Sequence, residues 1–227
     1  TGGSAPYTHT LDPGAEPPPI TLRTARDTLA SSGALQKGDV IAGARVTSAT
    51  LAASTPGILR LTINFVAMSS TPGAAPSHSL PAHDDPILSH EANRWRWNSV
   101  DYTARSISLD LENAVEGLRG FGSSSITGAA ITGVRNARMT VTRYKTNDNW
   151  PDAQTAGTEA DGDITFTSGT DQFRINVNSA LIPDAVAIAA QSVGLNEESA
   201  VFEARDDGTD PPVQFVLVND DATAEAS

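Results

Sequence analysis

Four histidines, His9, His78, His83 and His90, are the side chains of this 227-residue chain best suited to acid–base or metal chemistry. His9 sits in PYTHTLDPG (6–14), between two threonines and ahead of a Pro-Gly turn. A histidine base needs a nucleophile or substrate proton within reach, and no nucleophile is marked elsewhere in the sequence. His78, His83 and His90, with Asp84 and Asp85, offer imidazole and carboxylate ligands. Zinc requires such ligands on rigid elements with a supporting shell. Two of these histidines lie in the Pro-, Ser- and Ala-rich stretch 69–86, so solvated loop residues are the plainer account. The serines of GFGSSSITG (120–128) lack the G-x-S-x-G elbow. GLRGFG (117–122) lacks the spacing of a phosphate loop. DGD (161–163) and DGTD (207–210) lack the glutamate that ends a calcium loop. With no cysteine, thiolate nucleophiles, thiolate metal sites and disulfides are excluded. No catalytic residue, cofactor site or metal site is expected.

One aromatic-basic cluster remains, RWRWNS (94–99). On a strand, Trp95 and Trp97 share one face and Arg94 and Arg96 the other. Stacking on nucleic-acid bases is one use of such a stretch. Burial of both tryptophans against a sheet, or against a neighbouring subunit, is another. The net charge of −12 favours the second, because an acidic surface repels phosphate. Trp and Arg are enriched at interfaces, so Arg94, Trp95, Arg96 and Trp97 are candidates for a subunit contact.

Strands must position these residues, for the apolar pattern alternates almost throughout. In ILRLTINFVA (58–67), Leu59, Leu61, Ile63, Phe65 and Ala67 oppose Arg60, Thr62 and Asn64. RSISLDLEN (105–113) and ARMTVTRYK (137–145) behave alike, and 163–168 with 172–178 reads as a hairpin. PITLRTA (19–25), AGARVTSATLAA (42–53) and the apolar VQFVLVN (213–219) complete the set, the last placed centrally in its sheet. Residues 184–193 fit helix or strand, with alternation favouring strand. Short helices are expected at 84–95, where Pro86 follows an acid, and at 112–120. The stretches 69–86 and 146–163 read as long loops, and 221–227 as a flexible tail. The low apolar share, 39%, suits an all-β chain with many turns. No run approaches the roughly 20 apolar residues of a membrane helix, and no charged-then-apolar signal peptide opens the sequence.

The ordered blocks resemble a known family. They are PYTHTLDPG…PPITLRTARD, then GDVIAGARVTSATLAASTPGILRLTINFVA, then SISLDLENAVEGLRGFGSSSITGAAITGVRNARMTVTRYKTND, and finally the closing ALIPDAVAIAAQ…DGTDPPVQFVLVND. This order resembles the tail tube (major tail) proteins of long-tailed, siphovirus-type bacteriophages. The resemblance implies an all-β, sandwich or barrel-like domain over 1–220, with one or two short helices and long loops. An internal sheet duplication, 42–67 against 105–145, would fit it. It implies a structural virion protein, not an enzyme, assembled in the host bacterial cytoplasm. Its copies would form hexameric or pseudo-hexameric rings that stack into a tube, joined by other tail proteins. Double-stranded DNA would pass through the lumen without specific binding, and no membrane is involved. On that reading Asp110 and Glu112, on the polar face of a strong strand, are candidates for the lumen wall. Two other classes stay open: a tail-completion or capsid-decoration protein, and a secreted carbohydrate-binding sandwich.

Overall fold

The computed structural model describes residues 7–11, 18–26, 37–73, 94–119, 126, 128–133, 135–189, 196–206 and 208–219. Among them are sixteen strands and one helix. In chain order these are β1 (Tyr7–Leu11), β2 (Ile20–Arg26), β3 (Lys37–Ser54), β4 (Arg60–Val66), β5 (Ser69–Gly73), β6 (Trp95–Trp97), β7 (Val100–Tyr102), β8 (Ala104–Glu112), β9 (Val115–Leu118), β10 (Gly128–Ile131), β11 (Asn136–Tyr144), α1 (Asn149–Ala156), β12 (Ala160–Ser168), β13 (Asp171–Ala180), β14 (Ala187–Ala189), β15 (Glu197–Glu203) and β16 (Val213–Asn219). Every pairing is antiparallel. The smaller main sheet runs β1-β16-β13-β12-β6-β7; the larger runs β14-β15-β11-β8-β3-β2, with β4 and β5 also on β3. A separate β9/β10 hairpin stands beside them. The strands expected from alternation form, and they build the all-β sandwich that the resemblance implied, with β16 inside its sheet as its apolar run suggested.

The core lies between the two sheets. Alternation places Ile107 and Leu109 of β8, Met139 and Val141 of β11, Ile164 and Phe166 of β12, and Ile175 and Val177 of β13 on facing sides, all buried. Phe202 of β15 is the hub: the rings of Trp95, Trp97 and Trp150 stand edge-on to it, with centroids 5.3, 5.1 and 5.4 Å away. Such pairs add about 0.5–1.5 kcal/mol each beyond the area they bury. The Trp97 indole N–H donates to the carbonyls of Ala160 (3.1 Å) and Ala180 (3.2 Å). Room for Trp95 comes from Gly162, where any Cβ would overlap the six-membered ring of that indole. Because Trp95 is fully enclosed, it has no space to swing away. Gly162→Ala is expected to cost about 1–3 kcal/mol by overpacking. A thermal melt checks this, at roughly 2–4 °C per kcal/mol for a chain of this size.

Three readings of local structure are corrected. The expected helix 112–120 does not form over its described residues, 112–119: Glu112 ends β8, and Val115–Leu118 pairs with β10. Its start is committed elsewhere, because Asn113 gives its backbone N–H to Thr47 (2.8 Å) and its side chain to Val46 (3.0 Å), and Ala114 turns at φ 45°. The loop reading of 146–163 fails too. It holds α1 and the first residues of β12. Pro151 is tolerated in the first turn, Asp152 complements the helix dipole, and Gly157 closes the helix at φ 62°. Asp148 makes no side-chain cap; its carboxylate meets the Lys145 ammonium at 2.7 Å and holds that pKa above the ordinary lysine value. Of the expected long loop 69–86, residues 69–73 are β5. Residues 74–86 lie outside the described residues, as do most of the expected helix 84–95, the tail 221–227 and three of the four histidines. In 184–193 a strand covers Ala187–Ala189.

Candidate subunit interface

The strand β4 forms a free side of the larger sheet. It pairs with β3 alone among the described residues, and β5 follows it along that same side of β3. In the register, Leu61 lies opposite Leu51, Ile63 opposite Ala49 and Phe65 opposite Val46. Directly opposed residues share a face, so these three side chains stand on the core side of the sheet, where Leu51 is buried. The smaller sheet does not extend over them: Leu61, Ile63 and Phe65 are 60, 48 and 43% exposed. The sandwich therefore overhangs its own core by one strand. Pro72 interrupts β5, as suits an edge, but β4 itself carries no proline and no core-side charge. Such an edge is a template for another chain. At the far side of the same sheet β14 is an outer strand, as β2 is beside the first half of β3, and Ile188 of β14 is 48% exposed.

The opposite face of the larger sheet is hydroxyl-rich. Thr50, Ser108, Thr140, Thr142 and Ser199 lie on it around Asp110, across from the core-facing Leu109 and Val141. Thr50 Oγ1 donates to Asp110 Oδ1 (2.7 Å) and Ser108 Oγ to Asp110 Oδ2 (3.2 Å). Arg138 is matched by Glu203 at 3.3 Å. Glu112 is exposed at the end of β8, opposite Ser48 and Asn136. Asp110 and Glu112 thus share the polar face of one sheet.

The stretch 94–97 divides. Trp95 and Trp97 are 0 and 1% exposed inside the sandwich, so they present no ring to a neighbouring subunit or to a base. Their expected role as a subunit contact is corrected: the hub of Phe202 takes both rings from within the same chain. Arg94 and Arg96 do reach the surface. There Arg96, Asp163, Thr165, Asp101 and Arg174 line, with Arg94, a groove of about 430 Å³ on the outer face of the smaller sheet. Arg96 is held by Asp163 at 2.8 Å. His9, in β1, pairs across from Leu217 of β16, and no group of three or more His, Asp or Glu suited to a metal occurs among the described residues. Among those residues, no helix is long and apolar enough to cross a membrane.

Sequence reasoning marked the apolar alternation of 58–67 but not its exposure. Nothing in one strand's pattern says whether an opposing sheet reaches it. The Arg174 side of the groove was missed for a similar reason, since its neighbours come from β6, β7 and β12 only through pairing.

A family model described as phage tail tube protein matches residues 1–224. No curated protein matches the chain.

Proposed function

The chain belongs to the phage tail tube protein family, a structural component of the virion tail, and we propose that its copies join through β4 into rings that stack as a tube for genome passage. The observation that carries this reading is the uncovered core-side face of β4. Leu61, Ile63 and Phe65 have the spacing of a buried strand and, among the described residues, no sheet above them. A second copy that sets its β14 edge beside β4 would extend the sheet and cover the stripe. Two different edges meeting make a heterologous contact, which closes into a ring when the rotation allows; stacking of such rings is open-ended. Six copies around the axis, as in the hexameric or pseudo-hexameric rings of our reading, would turn the hydroxyl-rich face of the larger sheet inward. Asp110 and Glu112 would then repel DNA phosphate, while threonine and serine offer contacts that are easily exchanged with water. Such a wall lets a polyanion slide without binding it.

Electron microscopy of the purified, concentrated protein tests the reading. Rings and stacked tubes are expected. Single closed rings that never stack would refute the tube and favour a tail-completion role. Monomers at every concentration would overturn the assembly reading altogether.

A further inference from the structure

We propose that the arginine groove on the outer face of the smaller sheet is a receptor for carboxylates of a second copy of this chain, an ionic latch separate from the β4 edge. The inference rests on the self-assembly reading above and adds a partner chemistry to it. Alternation along β6, β12 and β13 turns Trp97, Ile164, Phe166, Ile175 and Val177 into the core, and so turns Arg96, Asp163, Thr165 and Arg174 outward. Asp163 satisfies Arg96 and fixes its guanidinium. Arg94 and Arg174, both exposed, have no ion-pair partner among the described residues. Two guanidiniums without an ion pair therefore open on one polar groove beside a third, and against Asp101 and Asp163 the three leave one net positive charge. Planar guanidinium forks match carboxylates in a bidentate way.

Charge decides the source of the carboxylate. The chain carries 27 acidic residues against 15 basic ones, so each copy has a surplus of carboxylates and few cationic places to put them. A groove that keeps an excess of arginine on so acidic a chain is complementary to the chain's own surface. DNA is the poorer fit. Asp101 and Asp163 sit within the groove beside its three arginines, so the net excess is one positive charge, matched to a single carboxylate and not to a duplex that presents a phosphate at every nucleotide.

The test compares the wild type with Arg94→Gln/Arg174→Gln and with Arg94→Lys/Arg174→Lys. Assembly is followed by sedimentation and electron microscopy at low and high NaCl, and circular dichroism verifies the fold. Salt screens the latch, so the advantage of the wild type over the Gln pair is expected to shrink as NaCl rises. The Gln pair should need roughly tenfold more protein to assemble at low salt, by the sum of two modest ion pairs, and should lack the latch's part of the salt dependence. The Lys pair should recover part of both. If the wild type assembles and the Gln pair matches it at every salt concentration, the latch is wrong while the tube reading stands. If the wild type never assembles, both fall together. A duplex DNA fragment that binds the wild type but not the Gln pair would also overturn the latch, in favour of a nucleic-acid site.

Discussion

Lysine in place of Ile63 should yield a folded chain that no longer self-assembles. Ile63 is half exposed in the isolated subunit, and substitutions at such positions usually stay within about 0.5 kcal/mol of neutral. The fold therefore loses little. In the proposed ring the same side chain faces the neighbouring copy, and an ammonium there would be buried without a partner. Even partial desolvation of that kind costs several kcal/mol, and each 1.4 kcal/mol is about tenfold in association. The contact recurs around every ring, so the losses accumulate. Inward-pointing lysine is also the device by which natural sheet edges resist pairing. Thr62→Lys is the matched control. It changes the same strand on the opposite, polar face, and subunit association through the apolar stripe should survive it. Sedimentation velocity and circular dichroism give both answers. Ile63→Lys assembling at wild-type concentrations would remove β4 from the interface.

The second large effect is on stability and comes from Arg143→Met. Arg143 and Glu198 form an ion pair that is almost wholly buried, joining β11 to β15. The guanidinium lies over the rings of Tyr102 (4.4 Å) and Trp150 (4.2 Å) and donates to Asn147 Oδ1 (2.9 Å). One cation thus ties the larger sheet to β7 and to the start of α1. Glu198 Oε2 has no hydrogen-bond partner, so the carboxylate depends on Arg143 for its compensation. Removing the arginine alone leaves a buried charge, at an expected cost of about 3–5 kcal/mol. That is a large part of the 5–15 kcal/mol typical of a folded domain. Adding Glu198→Leu should restore most of the loss, because an apolar pair needs no compensation. Denaturant midpoints of the two variants check this. A single variant less than 1 kcal/mol below wild type would show that water reaches the pair.

The strands were legible because their signal is local. Ile107, Leu109 and Leu111 alternate with serines and acids whatever lies beyond, and 163–168 with 172–178 contain their own turn. The helix α1 was not, since its single buried anchor, Trp150, sits among residues of loop composition; its meaning depends on the guanidinium of Arg143 and on Phe202, far along the chain. Pro151, Asp152 and Gly157 were the available signs, at the first turn and the end. The candidate interface was half legible. The pattern of Leu61, Ile63 and Phe65 was plain, yet whether a strand is covered depends on how far the opposing sheet extends. The same gap explains Trp95 and Trp97: their shared face was readable, and its destination was not.

One consequence follows from the length of β3. Its first half is flanked by β2 and β5 and its second half by β8 and β4, so a single strand of 18 residues passes from one pair of neighbours to the next, bending at Gly43 (φ 64°) and at the bulge between Val46 and Ser48. A pull along that strand loads the hydrogen bonds on both sides in shear. They must yield together and not one after another, and each is worth about 0.5–1.5 kcal/mol net. The strand is then a tensile member: a filament of such subunits could bend at its contacts while each subunit resists being drawn out.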